Sequence, residues 1–442
     1  EMSFCVASTC SGARAGALQV AKGAALRTPA LLLYTRRGAP PSMTMETLAE
    51  VEGVDEAAIN VCLPEVYHLT SASTSKGEVD LQKMYHTAAQ ASPVFLSMRN
   101  PVGHTTGLPV MEDGMHVAGP RGHFQVKLGE YADYIRQQSP SYFQLMSDDI
   151  SVRAASKRCR KAVKRSVEWA RTIKEKLGSD VFEQRAFATL TGATHDGEVR
   201  RCAAEMAELN PAGFVIGSVG IDETDEQQDE LVANAVAVLP EDKPRLAYGC
   251  FSPRKIIELA MKGIDMFDST YTARLTSFGI ALTFDPEGKQ GYEKNLTDLT
   301  LDKYRKDMSP IKEGCQCYTC KGFSRAYLFH MFTTHELLGG TLLDIHNAHT
   351  FLLFFKALRR SIDDGSINEF SARISERWEE YAAVDDSDNK TTPVLLSRGA
   401  TASYESARAS TADGADKPIL GKRPTASWAV RALESAFAKK AR

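Results

Sequence analysis

The chain has 442 residues, 43% of them hydrophobic and 25% charged, with a formal net charge of −3. Those values fit a globular protein with a large core and exclude a chain disordered throughout. They also exclude a globally basic nucleic-acid binder, so any grip on nucleic acid must come from local patches.

The first 27 residues are small, carry Arg and Lys, and hold almost no acid after Glu1. They are expected to form a flexible N-terminal segment, 1–27, with some of the composition of a transit peptide. From residue 28 the pattern becomes structural. Ala30 to Tyr34 reads as a buried strand, Met43 to Val51 as a helix, and Ala57 to Leu63 as a strand. Met84 to Ala91 gives a helix and Val94 to Met98 a strand, and Gly103 to Gly122, rich in Gly, Pro and His, a long excursion. A helix over Gly129 to Gln138 leads to a strand, Tyr142 to Ser147, ending in Asp148-Asp149.

The alternation then becomes regular. Helices are predicted over Ser151 to Leu177, Asp196 to Leu209, Glu223 to Val238 and Ser252 to Lys262. Strands are predicted between them over Ala186 to Leu190, Gly213 to Ile216, Arg245 to Tyr248 and Met266-Phe267. Short apolar strands separated by long helices argue for a parallel sheet, and seven or eight such repeats suit a closed (β/α)₈ TIM barrel over 28–383.

Beyond Asp268 the pattern breaks. Arg274 to Gly291 reads as a hairpin, Ser324 to Asp344 as one helix, and Phe351 to Ile362 and Ile367 to Ala383 as the last helices. The 384–442 stretch is rich in Ser, Thr, Ala, Asp and Gly and is expected to be a disordered tail. Its end, Ala426 to Arg442, has the pattern of a basic amphipathic helix.

Three of the nine cysteines fall in Cys315-Gln-Cys317-Tyr-Thr-Cys320. Thiolates at that spacing can curl around one cation, and one downstream imidazole completes the tetrahedral Cys₃His shell that Zn²⁺ favours. His346 is the expected fourth ligand, with His330, His335 and His349 as competitors. Four protein ligands leave no open position for water, which makes the metal structural. The subdomain that carries it is expected over 310–350. The other six cysteines are scattered, which together with a thiolate site suggests a reducing compartment.

Catalytic groups of a barrel stand just past the C-terminal ends of its strands. Asp148, Gly192, Gly217, Gly220 and Asp268 qualify, and each acid has a plainer alternative as a helix cap. The helix from Arg153 to Lys176 carries ten Lys and Arg against two Glu, a density that can grip phosphates or simply face water.

Several of these segments resemble the tRNA-guanine transglycosylase family. The resemblance rests on Gly263-Ile-Asp-Met-Phe-Asp268 with Lys243-Pro-Arg245 and Gly249, and on Arg165-Ser with Trp169-Ala170. It rests also on the cysteine motif with Ser324-Arg-Ala-Tyr327, Glu336-Leu-Leu-Gly339 and His346-Asn347. Membership implies a TIM barrel with an inserted zinc subdomain, and exchange of guanine for queuine or a precursor at the wobble position of tRNAs with GUN anticodons. By position, Asp268 matches the family's nucleophile and Asp148 roughly matches its base-recognising acid.

The departures are as informative. Where catalytic members carry Asp-Ser-Gly-Gly-Phe-Gln, this chain has Leu96-Ser-Met-Arg-Asn-Pro101, with neither carboxylate nor glycine pair. Their Gln-Gly-Gly element appears as Thr191-Gly192-Ala193, and their Leu-Ala-Val-Gly-Glu as Phe214-Val-Ile-Gly217-Ser218. Displacing a base from ribose needs one carboxylate to trap the sugar and a second group to manage protons. The resemblance therefore implies a non-catalytic subunit of a heterodimeric queuine tRNA-ribosyltransferase, with one structural Zn²⁺ and Asp268 and Asp148 as vestiges. It implies a catalytic partner subunit and tRNA as binding partners, with a homodimer as the competing assembly. It also implies a cytoplasmic location with peripheral association at the mitochondrial outer membrane. The alternatives are an active transglycosylase using Asp268 as nucleophile, and a zinc-stapled RNA-binding or membrane-docking protein with no part in base exchange.

Overall fold

The computed structural model describes residues 4–20, 25–71, 92–102, 108–120, 122–219, 223–287, 294–376 and 378. Eight parallel strands close into a barrel in the order β10-β11-β12-β13-β4-β5-β6-β9. They are β4 (Ala30–Thr35), β5 (Ala58–Cys62), β6 (Val94–Ser97), β9 (Tyr142–Gln144), β10 (Ala186–Leu190), β11 (Gly213–Ile216), β12 (Arg245–Ala247) and β13 (Met266–Asp268). Closure is made where Met266, Phe267 and Asp268 pair with Ala30, Leu31 and Leu32. The strands are apolar on both faces because both are covered. Ala30, Leu32, Ala58, Phe95, Tyr142, Phe187, Val215, Leu246 and Met266 fill the inside. Their alternate neighbours, such as Leu31, Ile59, Leu96, Phe214 and Phe267, pack against the surrounding helices.

The expectation of a flexible segment over 1–27 is corrected for the described residues. β1 (Phe4–Cys10), β2 (Ala13–Leu18) and β3 (Leu26–Thr28) form a three-stranded antiparallel sheet. Phe4, Leu18 and Leu26 join the barrel's interior cluster and so plug its N-terminal end. The buried Arg14 ties the sheet down: its Nε donates to Asp265 Oδ1 at 3.0 Å, and its Nη2 to the Lys243 carbonyl at 3.1 Å. A guanidinium shared between a carboxylate and carbonyls is the form in which a buried charge is tolerated.

The excursion after β6 ends in an antiparallel hairpin, β7 (Gly114–Gly119) and β8 (Gly122–Lys127). Two further corrections concern the region after β13. Arg274 to Gly291 is not a hairpin: a helix, Thr270–Ser277, comes first, and β14 (Ile280–Leu282) then pairs antiparallel with the distant β15 (Leu296–Asp298). The single helix expected over Ser324 to Asp344 is two, Arg325–Thr333 and Leu337–Asp363. They break at His335, whose φ of 59° is left-handed and incompatible with a continuous helix. The second absorbs the helix expected over Phe351 to Ile362, and His346 lies near its middle. A separate apolar cluster of Ala281, Leu299, Ile311, Leu328, Leu342 and Leu343 holds this lobe together.

The helix over Met84 to Ala91, Gly220, the tail 384–442 and its Ala426 to Arg442 helix lie outside the described residues. Among the described residues no helix is long and apolar enough to cross a membrane.

Candidate functional site

The cysteine loop and the long helix meet as their spacing suggests. The ligand atoms of Cys315, Cys317, Cys320 and His346 all lie within 4.8 Å of one another. His346 Nδ1 stands 3.8, 3.5 and 3.3 Å from the three Sγ atoms in chain order. A tetrahedral ion with Zn–S of about 2.3 Å and Zn–N of about 2.0 Å requires S···N separations of about 3.5 Å. The chain's values bracket that. The other ring nitrogen selects the ligand: His346 Nε2 lies 2.8 Å from the Leu282 carbonyl oxygen, so it carries the proton and leaves the Nδ1 lone pair facing the thiols. Of the competing histidines, His330 and His335 are exposed and His349 is buried, but none belongs to the cluster.

The residues around the cluster brace it. Cys317 caps the short Tyr318–Gly322 helix, its Sγ accepting the Cys320 N–H at 3.3 Å. Asn347, beside His346, accepts the Leu282 N–H at 2.8 Å and donates to the Ile280 carbonyl at 3.0 Å, fixing β14 to the helix. Ser324 caps the Arg325–Thr333 helix, and Arg325 reaches Asp307 and the Ile311 carbonyl to hold the loop. The group fits a structural Zn²⁺ in charge, donor softness and geometry.

Five large hydrophobic side chains stay exposed among the described residues: Leu301, Met308, Tyr318, Leu337 and Leu338. All five belong to the lobe around the cluster, with Met308 at 78%, Tyr318 at 64% and Leu337 at 60% exposure.

The barrel mouth is a different chemical setting. Asp268 ends β13 and is 1% exposed. Both of its oxygens are committed, Oδ2 to the Gly249 N–H at 2.8 Å and Oδ1 to the Thr270 N–H at 2.6 Å. Burial pushes its carboxyl up to about 6, although those hydrogen bonds favour the charged form. The carboxylate thus pins the joint between β12, β13 and the following helix, a structural reason to keep it without catalysis.

Asp148, expected as a vestige of the base-recognising acid, has its carboxylate engaged by arginines. It is fully buried and accepts from Arg158 at 2.5 and 2.7 Å and from Arg165 at 2.5 Å. Both arginines come from the Ser156–Leu177 helix, seven residues apart and so on one face, which explains part of that helix's basicity. Arg171 and Lys174 are also occupied, by Glu205 and Glu183. Arg153, Lys157, Arg160, Lys161 and Lys164 remain exposed, although Arg160 touches Glu198 and Lys164 touches Glu168.

Asp149, next in line, is half-buried with its carboxyl pushed up by desolvation, and it accepts the Ser147 hydroxyl at 2.7 Å. Arg99 stands among these acids. It occupies part of the stretch where the resembling family has its glycine pair. The missing carboxylate is legible in the sequence, whereas the role of the guanidinium is not. The rim glycines do survive. Gly192 has φ of 140° and no room for a Cβ, which would lie 2.8 Å from the Val199 nitrogen, and a Cβ on Gly217 would overlap the Leu190 carbonyl.

With this geometry in view, comparisons with known proteins are direct. The family model described as "Queuine tRNA-ribosyltransferase" matches residues 9–380. The chain is 30% identical over 392 residues to a protein of Gallus gallus named "Queuine tRNA-ribosyltransferase accessory subunit 2", covering 79% of this chain and 91% of that one. A Homo sapiens protein of the same name is 28% identical over 392 residues, with 78% and 92% covered. A Thermotoga maritima "Queuine tRNA-ribosyltransferase" is 28% identical over 386 residues, with 85% and 98% covered.

Proposed function

The chain belongs to the queuine tRNA-ribosyltransferase family, and from that premise we propose that it is a non-catalytic, zinc-bearing subunit. It pairs with a catalytic subunit to exchange guanine for queuine at the wobble position of tRNAs with GUN anticodons. The observation that carries this reading is the disposal of the mouth acids. Asp268 spends both oxygens on backbone N–H groups, and Asp148 is clamped by two arginines. Each Asp268 oxygen keeps a lone pair beside its one hydrogen bond, but base exchange also needs a second group free to move protons, and the clamped Asp148 is not one.

The catalytic partner docks on the zinc lobe, where Tyr318, Leu337 and Met308 offer the apolar anchors such an interface uses. Zn²⁺ held by Cys315, Cys317, Cys320 and His346 keeps that face in shape. A homodimer through the same face is the competing assembly. Exposed Arg153, Lys157 and Lys161 supply phosphate contacts for the tRNA, which position an RNA without reading its sequence. The cytoplasm, with peripheral contact at the mitochondrial outer membrane, is the location that goes with this role.

The alternative, an active transglycosylase with Asp268 as nucleophile, draws on the position of that acid at the mouth. One assay separates the two. Labelled queuine is offered with unmodified tRNA to this chain alone, to a catalytic subunit alone, and to the mixture. The accessory reading expects no incorporation by this chain and turnover raised in the mixture. Incorporation by the chain alone that Asp268→Ala abolishes would establish the alternative.

A further inference from the structure

The mouth contains a buried cation that the accessory role does not require. Arg99 follows β6 and is 4% exposed, yet its side chain crosses the barrel. Its Nη2 donates to the Val219 carbonyl at 2.9 Å, just past β11, which is three strands around the closed sheet from β6. Asp149 and Glu223, from the segments that follow β9 and β11, and Asp268, from the end of β13, act on its guanidinium electrostatically. The neighbouring Asn100 locks the stretch in place, donating to Glu65 at 2.9 Å and accepting from Tyr34 at 3.1 Å. Arg99 Nε has no hydrogen-bond partner among the described residues. A buried guanidinium left with an unmade bond is costly, and it persists only where the surroundings hold it there.

We propose that Arg99 is a built-in occupant of the vestigial base pocket. A guanidinium is a flat group with N–H donors along its edge, and the edge of guanine that bears N1–H and the 2-amino group is flat with the same donors. Arg99 therefore presents at the mouth the donors that a bound guanine would present, one of them given to the Val219 carbonyl, where a glycine pair would leave room for a planar ring. The inference rests on reading the chain as a relative whose mouth has lost its substrate. It adds the cause: the pocket is filled by the chain itself.

Two variants test it on the isolated chain. Arg99→Gly empties the seat, and Arg99→Met keeps most of the volume without the donors. Calorimetric titration with guanine is expected to give at least tenfold tighter binding to R99G than to wild type or R99M. Equal binding by wild type, equal binding by R99M, or no binding by a folded R99G would each overturn the proposal. If R99G is too unstable to titrate, its unfolding temperature is followed in ethylguanidinium chloride, with urea as control. Stabilisation by ethylguanidinium alone supports a vacated guanidinium seat, and no stabilisation overturns it. Turnover by the wild-type chain alone would sink the accessory reading, whichever way the guanine titrations fall.

Discussion

The zinc lobe and the barrel mouth each gather chemically demanding side chains, and they treat them in opposite ways. In the lobe, three thiols and an imidazole converge with their ligand atoms aimed at one point, and the outer ring nitrogen is already bonded to a carbonyl. Soft donors converging on one point are organised for an ion. In the mouth, the carboxylates are satisfied from within, Asp148 by arginines and Asp268 by backbone N–H groups. The lobe converges its donors on one point, whereas the mouth commits its carboxylates to internal partners.

The sharpest way to break this comparison is to remove a ligand from the lobe. Cys317→Ser should drop the metal content from about one Zn per chain to near zero and unfold the lobe. Structural zinc contributes on the order of 10 kcal/mol to the fold it organises. Elemental analysis and proteolysis check both effects, and wild-type protein purified without chelator but lacking metal would sink the assignment.

In the mouth the matching change is Asp148→Asn. It keeps the shape but leaves Arg158 and Arg165 facing a neutral amide. Removing one partner of a buried ion pair costs several kcal/mol, and the partial exposure of these arginines reduces that to about 2–3 kcal/mol. Chemical denaturation measures it. A change below about 0.5 kcal/mol, the size of an ordinary surface substitution, would mean that the clamp is not what holds Asp148.

Those two regions also differ in how far the sequence discloses them. The cysteine spacing states its chemistry outright, because all three thiolates come from one loop and only the imidazole arrives from elsewhere. The barrel strands are legible for a similar reason, since apolar runs such as Ala186–Leu190 announce burial on both faces. The mouth is assembled from the ends of several strands, and nothing local records that Arg99 spans from β6 to Val219. One signal was available there: Arg158 and Arg165 stand seven apart on a helix that follows Asp148, the spacing of a single face. The N-terminal sheet is hard to read from sequence because Ala13–Leu18 is built mostly of small residues that resemble a linker. Its anchor, Arg14 to Asp265, joins residues 251 apart.

The docking face extends the comparison outward. If the zinc lobe is the part kept for a partner, its exposed apolar residues should matter to association and little to folding. Leu337→Asp, at the exposed start of the long helix, should weaken binding to a catalytic subunit by about 2 kcal/mol, roughly thirtyfold in Kd. The unfolding midpoint should stay unchanged. Sedimentation or surface binding assays read the first, and an unaltered Kd would move the interface elsewhere.

The smallest effect concerns the titration of Asp268. Its carboxyl titrates at about 6 in the fold against an ordinary 3.8, the rise being caused first by burial. A raised acid contributes stability that is full below its unfolded value and is lost as pH rises through its folded value. The loss therefore falls between about pH 4 and pH 6 or slightly above, and from pH 5 to 7 amounts to about 1 kcal/mol. Asp268→Asn cannot ionise, so its unfolding free energy should follow pH less steeply over that window. Its absolute stability should fall, because an amide cannot accept from both Gly249 and Thr270. The slope, not the level, is the readout. A slope identical to that of wild type would mean that Asp268 is already ionised at pH 5.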